Sequence, residues 1–359
     1  MTATIAGAGT ALPSPMSQPG LWDGFFREHY GDARVARQVW RSAGIQTRHG
    51  VVNPAQEDIS GWGTGARMRR FLAEAMPLGK EALDRALADA GVAAEEVGLL
   101  TVVSSTGYST PGLDVLLARD LGMAAGVQRL HLGHMGCYAA LPALGAAVDF
   151  VTARSRPAVV LCVELTSLHV QPASTTARSG TPTPEDLQQM VAHALFGDAA
   201  AALVLRPRGP GLRVVDVAAH TDVTTAAEMT WDVTDLGFRM GLSPRVPDVL
   251  AHHARPVIED LLSRHGLTIG DVDGWAVHPG GRRILELVGA ALSLRGDHLA
   301  ASYEVLRDVG NCSSATVLLV LDRLRALHRV RAGGWVVAVT FGPGLTLYAA
   351  LLRHDQSSC

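Results

Sequence analysis

The chain reads as an α/β protein made from one unit used twice, and three observations predict this. Short apolar, β-branched runs alternate with longer amphipathic stretches. The runs are apolar at every position, as in strands covered on both faces. Two segments in different halves also repeat one arrangement, a helix with a glycine stop, an acidic turn and a buried strand. They are Ala82-Leu-Asp-Arg-Ala-Leu-Ala-Asp-Ala-Gly-Val leading to Val97-Gly-Leu-Leu-Thr-Val-Val, and Val257-Ile-Glu-Asp-Leu-Leu-Ser-Arg-His-Gly-Leu leading to Val272-Asp-Gly-Trp-Ala-Val.

Taken in order, residues 80–90 form a helix stopped by Gly91. Residues 99–104 have the length and branching of a buried strand. A long small-residue helix opens at Cys137 and runs to about Phe150, and strands follow at 158–163 and 200–205. Arg206-Pro-Arg-Gly-Pro-Gly-Leu then breaks the chain, dividing it into halves 1–209 and 210–359. In the second half a helix runs from Pro247 toward His265-Gly266, with strands at 274–277 and 334–341.

Composition narrows the function. In 359 residues, 48% are hydrophobic and 18% charged, enough for a sizeable core and against disorder. Thirty-one Lys and Arg against thirty-four Asp and Glu leave a net charge of −3, so nucleic acid is not the partner. Four scattered cysteines with no Cys-x-x-Cys exclude a disulfide framework and a structural zinc site of the usual spacing. Cys162 and Cys312 read as core residues and Cys359 as tail. His252-His253 is adjacent rather than i, i+4, a poor metal pair, and no metal is expected. The N-terminus lacks the basic and long apolar regions of a signal peptide, and no apolar run reaches the membrane-spanning length of roughly 18 residues. The expectation is a cytoplasmic protein.

Four local features carry chemistry. In Leu132-Gly-His-Met-Gly-Cys-Tyr, Cys137 follows a glycine at a helix N-terminus. There the macrodipole and unpaired N–H groups favour the thiolate, although most free cysteines are simply buried. His278, in Val277-His-Pro-Gly-Gly, ends a buried strand, where α/β proteins place their sites. An imidazole there can pair with a thiolate and donate to an oxyanion. Asn311, in Gly310-Asn-Cys-Ser-Ser-Ala, is placed either as a helix N-cap or as a fixed neutral donor to an oxyanion. Phe341-Gly-Pro-Gly-Leu-Thr is a rigid turn, able to line a cavity or merely to close a loop. Cys, His and Asn together are a nucleophile, its partner and an oxyanion donor, the set for covalent acyl-thioester chemistry. Glu164 and Asp198, beside apolar strands, suit backbone donors better than proton transfer. Arg67-Met-Arg-Arg reads as a helix face with its charges in water.

On Gly136-Cys137, Ala194-Leu-Phe-Gly-Asp-Ala-Ala-Ala-Ala, His278-Pro-Gly-Gly, Gly310-Asn-Cys-Ser-Ser-Ala and Phe341-Gly-Pro-Gly-Leu-Thr, the chain resembles the type III polyketide synthases. These are the chalcone synthase-like branch of the thiolase superfamily, and the likeness runs from about Ile5 to Arg353. It implies a thiolase-like duplicated αβαβα layered fold and a homodimer. It implies that Cys137 takes an acyl group from a coenzyme A starter. His278 and Asn311 would bind the malonyl-CoA carbonyl, promote decarboxylation and stabilise the enolate that attacks the Cys137 thioester. Phe196 matches an aromatic gatekeeper. Ser105, Thr166, Ser313 and Phe341 join the implied pocket. No bound cofactor is implied, because coenzyme A thioesters are the substrates; an acyl carrier protein is a further possible starter donor.

The sequence departs from the family at Met240, where a second gatekeeper phenylalanine is usual, at Trp231, where chalcone-type members have glycine, and at His169, in place of a plant-enzyme threonine. Thr340 stands where a glycine usually precedes Phe-Gly-Pro-Gly. For coenzyme A the resemblance points to Gly280 and Gly281. The basic positions near the N-terminus do not match one for one. Instead Arg34, Arg37 and Arg41 share one face of a presumed helix, open to nucleotide phosphates or to solvent alone. Trp231 and Met240 favour an aliphatic starter and an alkyl-pyrone or alkyl-resorcinol product. An all-malonyl aromatic synthase, a single-condensation ketoacyl synthase and a silent acyl-CoA-binding relative are the alternatives.

Overall fold

The computed structural model describes residues 3–295, 297–326 and 330–355; Cys359 lies outside the described residues. The strands, in chain order, are β1 (Thr4–Ala11), β2 (Pro15–Ser17), β3 (Thr47–His49), β4 (Leu99–Val103), β5 (Gln128–Leu132), β6 (Ala158–Leu165) and β7 (Asp198–Arg206). The second half adds β8 (Gly211–Thr221), β9 (Met229–Thr234), β10 (Gly237–Leu242), β11 (Val272–Val277), β12 (Trp335–Gly342) and β13 (Thr346–Asp355).

Nine of them form one mixed sheet in the order β11-β12-β13-β8-β1-β7-β6-β4-β5. Within it one topology occurs twice. β4 pairs parallel with β6, β6 antiparallel with β7, and β7 antiparallel with β1. β11, β12, β13 and β8 repeat those pairings in the same order. The two sets join where β1 pairs with β8, at Thr4↔Arg213 and Ile5↔Leu212. β5 has no counterpart and forms a sheet edge.

The unbroken apolarity of the strands follows from the layers. Along β6, Val160 and Cys162 face one core while Val159, Leu161 and Val163 face another. Along β12, Val336 and Ala338 share that first core while Val337 and Val339 face a third. Alternate side chains of each strand thus enter different apolar layers, so both faces need apolar residues. Helices Ala140–Arg154 and Ala315–Ala326 fill the shared central core. Thr64–Ala90 covers one outer face and Val246–Ser263 the other. This is the αβαβα layering.

Three expectations are corrected. The first long helix starts at Thr64 rather than 80, carrying Pro77 within it and ending at Gly91 with φ +58. Pro77 and Gly79 hid its first half, because both weaken a helical pattern. Arg67 is fully buried rather than solvated. It lies on the face of Phe71 and Ala75, at i, i+4 and i+8, and the fold turns that face inward. Finally, Gly136–Arg154 spans 19 residues at mean hydropathy 1.3, long and apolar enough by length and composition to cross a membrane. Its Leu141, Ala143, Leu144, Ala147 and Val151 are buried in the central core, which accounts for that apolarity.

Candidate active site

Two motifs far apart in sequence meet around Cys137. Gly136 has φ +75, and a Cβ on it would sit 2.6 Å from the Pro343 ring. A Cβ on Gly342 would come within 3.2 Å of the Cys137 nitrogen. Gly-Cys and Gly-Pro-Gly therefore carry glycine because each backbone lies against the other. The Gly136 N–H donates to Ser105 Oγ at 2.9 Å, pinning the turn to the loop after β4. Cys137 itself lies in a short 3₁₀ turn, Gly136–Tyr138, just before helix Ala140–Arg154.

His278 follows β11, and its N–H continues the ladder to Val339 O at 2.8 Å. Its ring meets Phe341 edge-on, centroids 5.4 Å apart. Asn311 is held by the 3.0 Å bond from its N–H to Leu195 O and by the Gly197 N–H, which donates to Asn311 O at 2.9 Å. The Ser313 N–H donates to Asn311 Oδ1 at 2.9 Å, which fixes the amide's orientation and leaves Nδ2 as a donor, 3.5 Å from Gly280 O. The cap-like role and the oxyanion role are compatible, each using one end of the amide.

The three side chains belong to one ring of contacts. Cys137 and Ser313 line one small cavity, the Ser313 N–H bonds Asn311, and Asn311 reaches Gly280, two residues from His278. Phe341 links His278 back to the Gly342–Pro343 turn. The pairing of imidazole with sulfur is not made as a hydrogen bond, since neither His278 ring nitrogen has a partner among the described residues.

Burial dominates the electrostatics. It pushes the Cys137 thiol up to about 12, with the ionised Glu164 adding in the same direction and the Ser313 hydroxyl opposing. It pushes the His278 imidazole down to about 3. The helix N-terminus alone therefore does not yield a thiolate. A proton passed from sulfur to a neighbouring imidazole would create both charges together, each countering the other.

Glu164, raised to about 7 by burial, accepts from the Ser105 N–H at 3.0 Å, Thr106 Oγ1 at 2.8 Å and Ser314 Oγ at 2.5 Å. Asp198 accepts from the Val51 and Ser167 N–H groups, each at 2.8 Å. Both hold the loops of the site.

A small cavity of about 20 Å³ faces Cys137, and Ser105, Thr166, Phe196, Trp231, Met240 and Ser313 line it. Thr166, Phe196, Trp231 and Met240 are also the wall of a second chamber, of about 50 Å³, onto which His169 opens. Trp231 is fastened there by an indole N–H bond to Ser105 O at 2.7 Å. His169 accepts from the Phe238 N–H at 3.0 Å through Nδ1, so Nε2 donates to Thr106 O, 2.7 Å away; burial lowers this imidazole to about 4 and keeps it neutral.

Arg37 and Arg41, on helix Arg34–Ser42, line an outer cleft of about 470 Å³ with Arg27, Trp22 and Trp40. Arg34 is exposed at the start of that helix and does not line the cleft, and Arg37 is ion-paired with Asp32. Gly280 and Gly281 also lie away from it. A Cβ on Gly280 would strike the Phe341 ring at 2.9 Å, and Gly281 caps helix Arg282–Ala291. Among the described residues no group of three or more His, Cys, Asp or Glu is placed to hold a metal ion.

Sequence reasoning missed two buried arginines. Arg67 donates to the carbonyls of Ile59 (3.0 Å), Ser60 (2.8 Å), Trp62 (2.7 Å) and Leu168. Arg48 donates to the carbonyls of His193 (2.6 Å) and Phe196 (2.7 Å), fixing the backbone beside the Asn311 bridge. The i, i+4, i+8 match with Phe71 and Ala75 was the available signal for Arg67, whereas Arg48 offered none.

Layered fold, buried cysteine and fixed amide donor together define a condensing enzyme of thiolase-like architecture. Residues 2–208 match the N-terminal domain of chalcone and stilbene synthases and residues 216–355 the C-terminal domain, so the chain belongs to that family, the type III polyketide synthases, whose substrates are coenzyme A thioesters. It is 35% identical over 329 residues to 1,3,6,8-tetrahydroxynaphthalene synthase of Streptomyces peucetius subsp. caesius, covering 90% of this chain and 84% of that one. Alpha-pyrone synthesis polyketide synthase-like Pks18 of Mycobacterium tuberculosis is 33% identical, covering 89% and 81%. The crystal structure of 1,3,6,8-tetrahydroxynaphthalene synthase from Streptomyces coelicolor A3(2) superposes with TM-score 0.91 at 28% identity, covering 99% of this chain and 100% of that one.

Proposed function

We propose that the enzyme joins an aliphatic acyl-CoA starter to malonyl-CoA and cyclises the chain to a pyrone or resorcinol-type product. Cys137 Sγ attacks the starter thioester and expels coenzyme A. Malonyl-CoA then loses carbon dioxide, and the electron pair left behind forms an enolate whose oxygen faces the Asn311 amide and His278. The enolate carbon attacks the Cys137 thioester, forming the carbon–carbon bond and releasing the sulfur. Preorganised donors in a water-poor pocket act on the charge as it develops. The observation that carries the starter reading is Trp231, which is pinned at the wall of the small cavity facing Cys137 and takes up space beside the sulfur.

A second reading, in which malonyl-CoA also supplies the starter and the product is a polyhydroxylated aromatic, is favoured by the 35% identity to 1,3,6,8-tetrahydroxynaphthalene synthase. We assign the phosphates of coenzyme A to Arg37 and Arg41 at the outer cleft, with an acyl carrier protein as the alternative donor there. We place the protein in the cytoplasm and read it as two halves divided near residue 210, which the repeated strand order supports. A homodimer through edge strand β5 is supported by its exposed face, where Leu130 is 43% exposed.

Purified protein given malonyl-CoA, with and without a panel of acyl-CoA starters, tests this by mass spectrometry of products beside Cys137→Ala. Pyrones or resorcinols that require an aliphatic starter and vanish in Cys137→Ala support the first reading. An aromatic product from malonyl-CoA alone supports the second. A released 3-ketoacyl thioester would make it a single-condensation enzyme, and the absence of both product and acyl adduct would refute the condensing reading. Trp231→Gly is expected to admit bulkier starters, seen as a wider range of adducts on Cys137.

A further inference from the structure

The loop after β4 joins the pocket wall to the nucleophile. The N–H, hydroxyl and carbonyl of Ser105 are each engaged there. The N–H donates to Glu164 at 3.0 Å, the hydroxyl accepts from the Gly136 N–H at 2.9 Å, and the carbonyl accepts from the Trp231 indole at 2.7 Å. Thr106 follows the same pattern. Its hydroxyl donates to Glu164 at 2.8 Å, and its carbonyl accepts from His169 Nε2 at 2.7 Å. Glu164 thus holds the loop by its donors, while Trp231 and His169 hold it by two successive carbonyls.

Those two donors belong to one assembly. Trp231 on β9 and Met240 on β10 are register partners in a hairpin separate from the nine-stranded sheet. His169 stacks on Phe238 of that hairpin, ring centroids 4.6 Å apart at 10°, and accepts its N–H through Nδ1 at 3.0 Å. It also meets the Trp231 ring edge-on, at 5.7 Å. Both are positions where the sequence departs from the family, and each departure brings a ring N–H to a loop carbonyl. Filling the pocket needs only the bulk of a ring, whereas the two hydrogen bonds fix the loop. From the indole the path runs through Ser105 to the Gly136 amide, held at φ +75, and Cys137 is the next residue.

We propose that Trp231 and His169 are positioning residues for Cys137, acting through Ser105 and Thr106, as well as walls of the starter pocket. The proposal rests on the condensing reading above and adds that pocket size and nucleophile placement depend on the same two side chains. Removing either donor frees a carbonyl of the loop and loosens the Ser105 hydroxyl against the Gly136 N–H. The sulfur is then less well placed against a bound thioester. Misplaced reacting atoms cost rate rather than binding, so the loss falls on the maximal rate of acylation.

Acylation of Cys137 by acetyl-CoA and by hexanoyl-CoA, followed by quenched-flow mass spectrometry, gives a maximal rate and a half-saturating concentration for each. Trp231→Phe keeps a ring in the wall but removes its N–H. It should lower the maximal rate about 3- to 10-fold with both starters, leaving the half-saturating concentrations and the ratio between starters within about 2-fold. His169→Phe keeps the stack on Phe238 without a donor and should show the same loss. His169→Gln returns an amide donor and should recover at least about half of it; the His169 pair serves if Trp231→Phe does not fold. Wild-type acylation rates in Trp231→Phe, or a loss that tracks starter size, would overturn the proposal, as would equal losses in His169→Gln and His169→Phe. In each of these cases a wild-type adduct leaves the condensing reading intact. No adduct on wild-type Cys137 from either starter would overturn both.

Discussion

Removing the His278 imidazole isolates what it does for the sulfur. Burial holds the lone Cys137 thiol at about 12, so at pH 8 only about one molecule in ten thousand would carry the thiolate. In the proposed pairing the imidazole, itself lowered to about 3 by burial, would gain its proton only as the sulfur loses one. Alkylation by iodoacetamide follows the thiolate, so its rate against pH reports the pair. In the wild-type protein the rate should level off within pH 6–9. In His278→Ala it should be at least about 100-fold slower at pH 8 and climb about tenfold per pH unit to pH 10 without levelling. The imidazole makes no hydrogen bond, so its loss orphans no partner, and folding is checked by urea unfolding. Superimposable profiles for the two proteins would sink the argument, since the imidazole would then take no proton from sulfur.

Asn311→Ala should slow malonyl-CoA decarboxylation about 10²- to 10³-fold, the usual cost of one oxyanion donor, while Cys137 still loads. Asn311→Asp keeps the acceptor for the Ser313 N–H but not the donor, so an equal loss there assigns the effect to Nδ2; carbon dioxide release measures both. Arg67→Met should cost about 3 kcal/mol of stability, because its backbone carbonyls lose their donors in a buried site, and should lower the urea midpoint. Glu164 is held near 7 against 4.5 in the unfolded chain. The native state thus binds the extra proton between those values, and stability falls on the order of 3 kcal/mol as pH rises through that window. Glu164→Gln should flatten that slope in urea titrations at pH 5 and 7.5, and an unchanged slope would reject the assignment.

Strands buried on both faces were the most legible elements. Residues 158–163 and 200–205 lie inside β6 and β7, since a strand between two apolar layers admits no polar positions to obscure it. The Thr64–Ala90 helix was half legible, its first turns concealed by Pro77 and by an arginine on the inward face. For the site, glycine-marked turns revealed Cys137, His278 and Asn311, because close backbone approach leaves a trace in residue type. The second chamber left no such trace. Arg48 and His193 are an ordinary arginine and histidine in sequence, and only tertiary burial deprives them of water.

The repeated topology explains why nucleophile and donor converge. The Ala140–Arg154 and Ala315–Ala326 helices both lie in the central layer, each ahead of the corresponding strand, β6 or β12. Cys137 precedes the first and Asn311 the second, and the small cavity that Cys137 and Ser313 both line brings those two N-terminal ends together. Two positive helix ends then bear on one small cavity. Neither end overcomes the burial of the thiol alone, as its raised value shows. In the proposed mechanism their common field would act instead on the negative charge formed there, first on the sulfur and then on the enolate oxygen. A site assembled this way serves both half-reactions with one arrangement of donors, which the side-chain substitutions above separate into its sulfur and oxygen components.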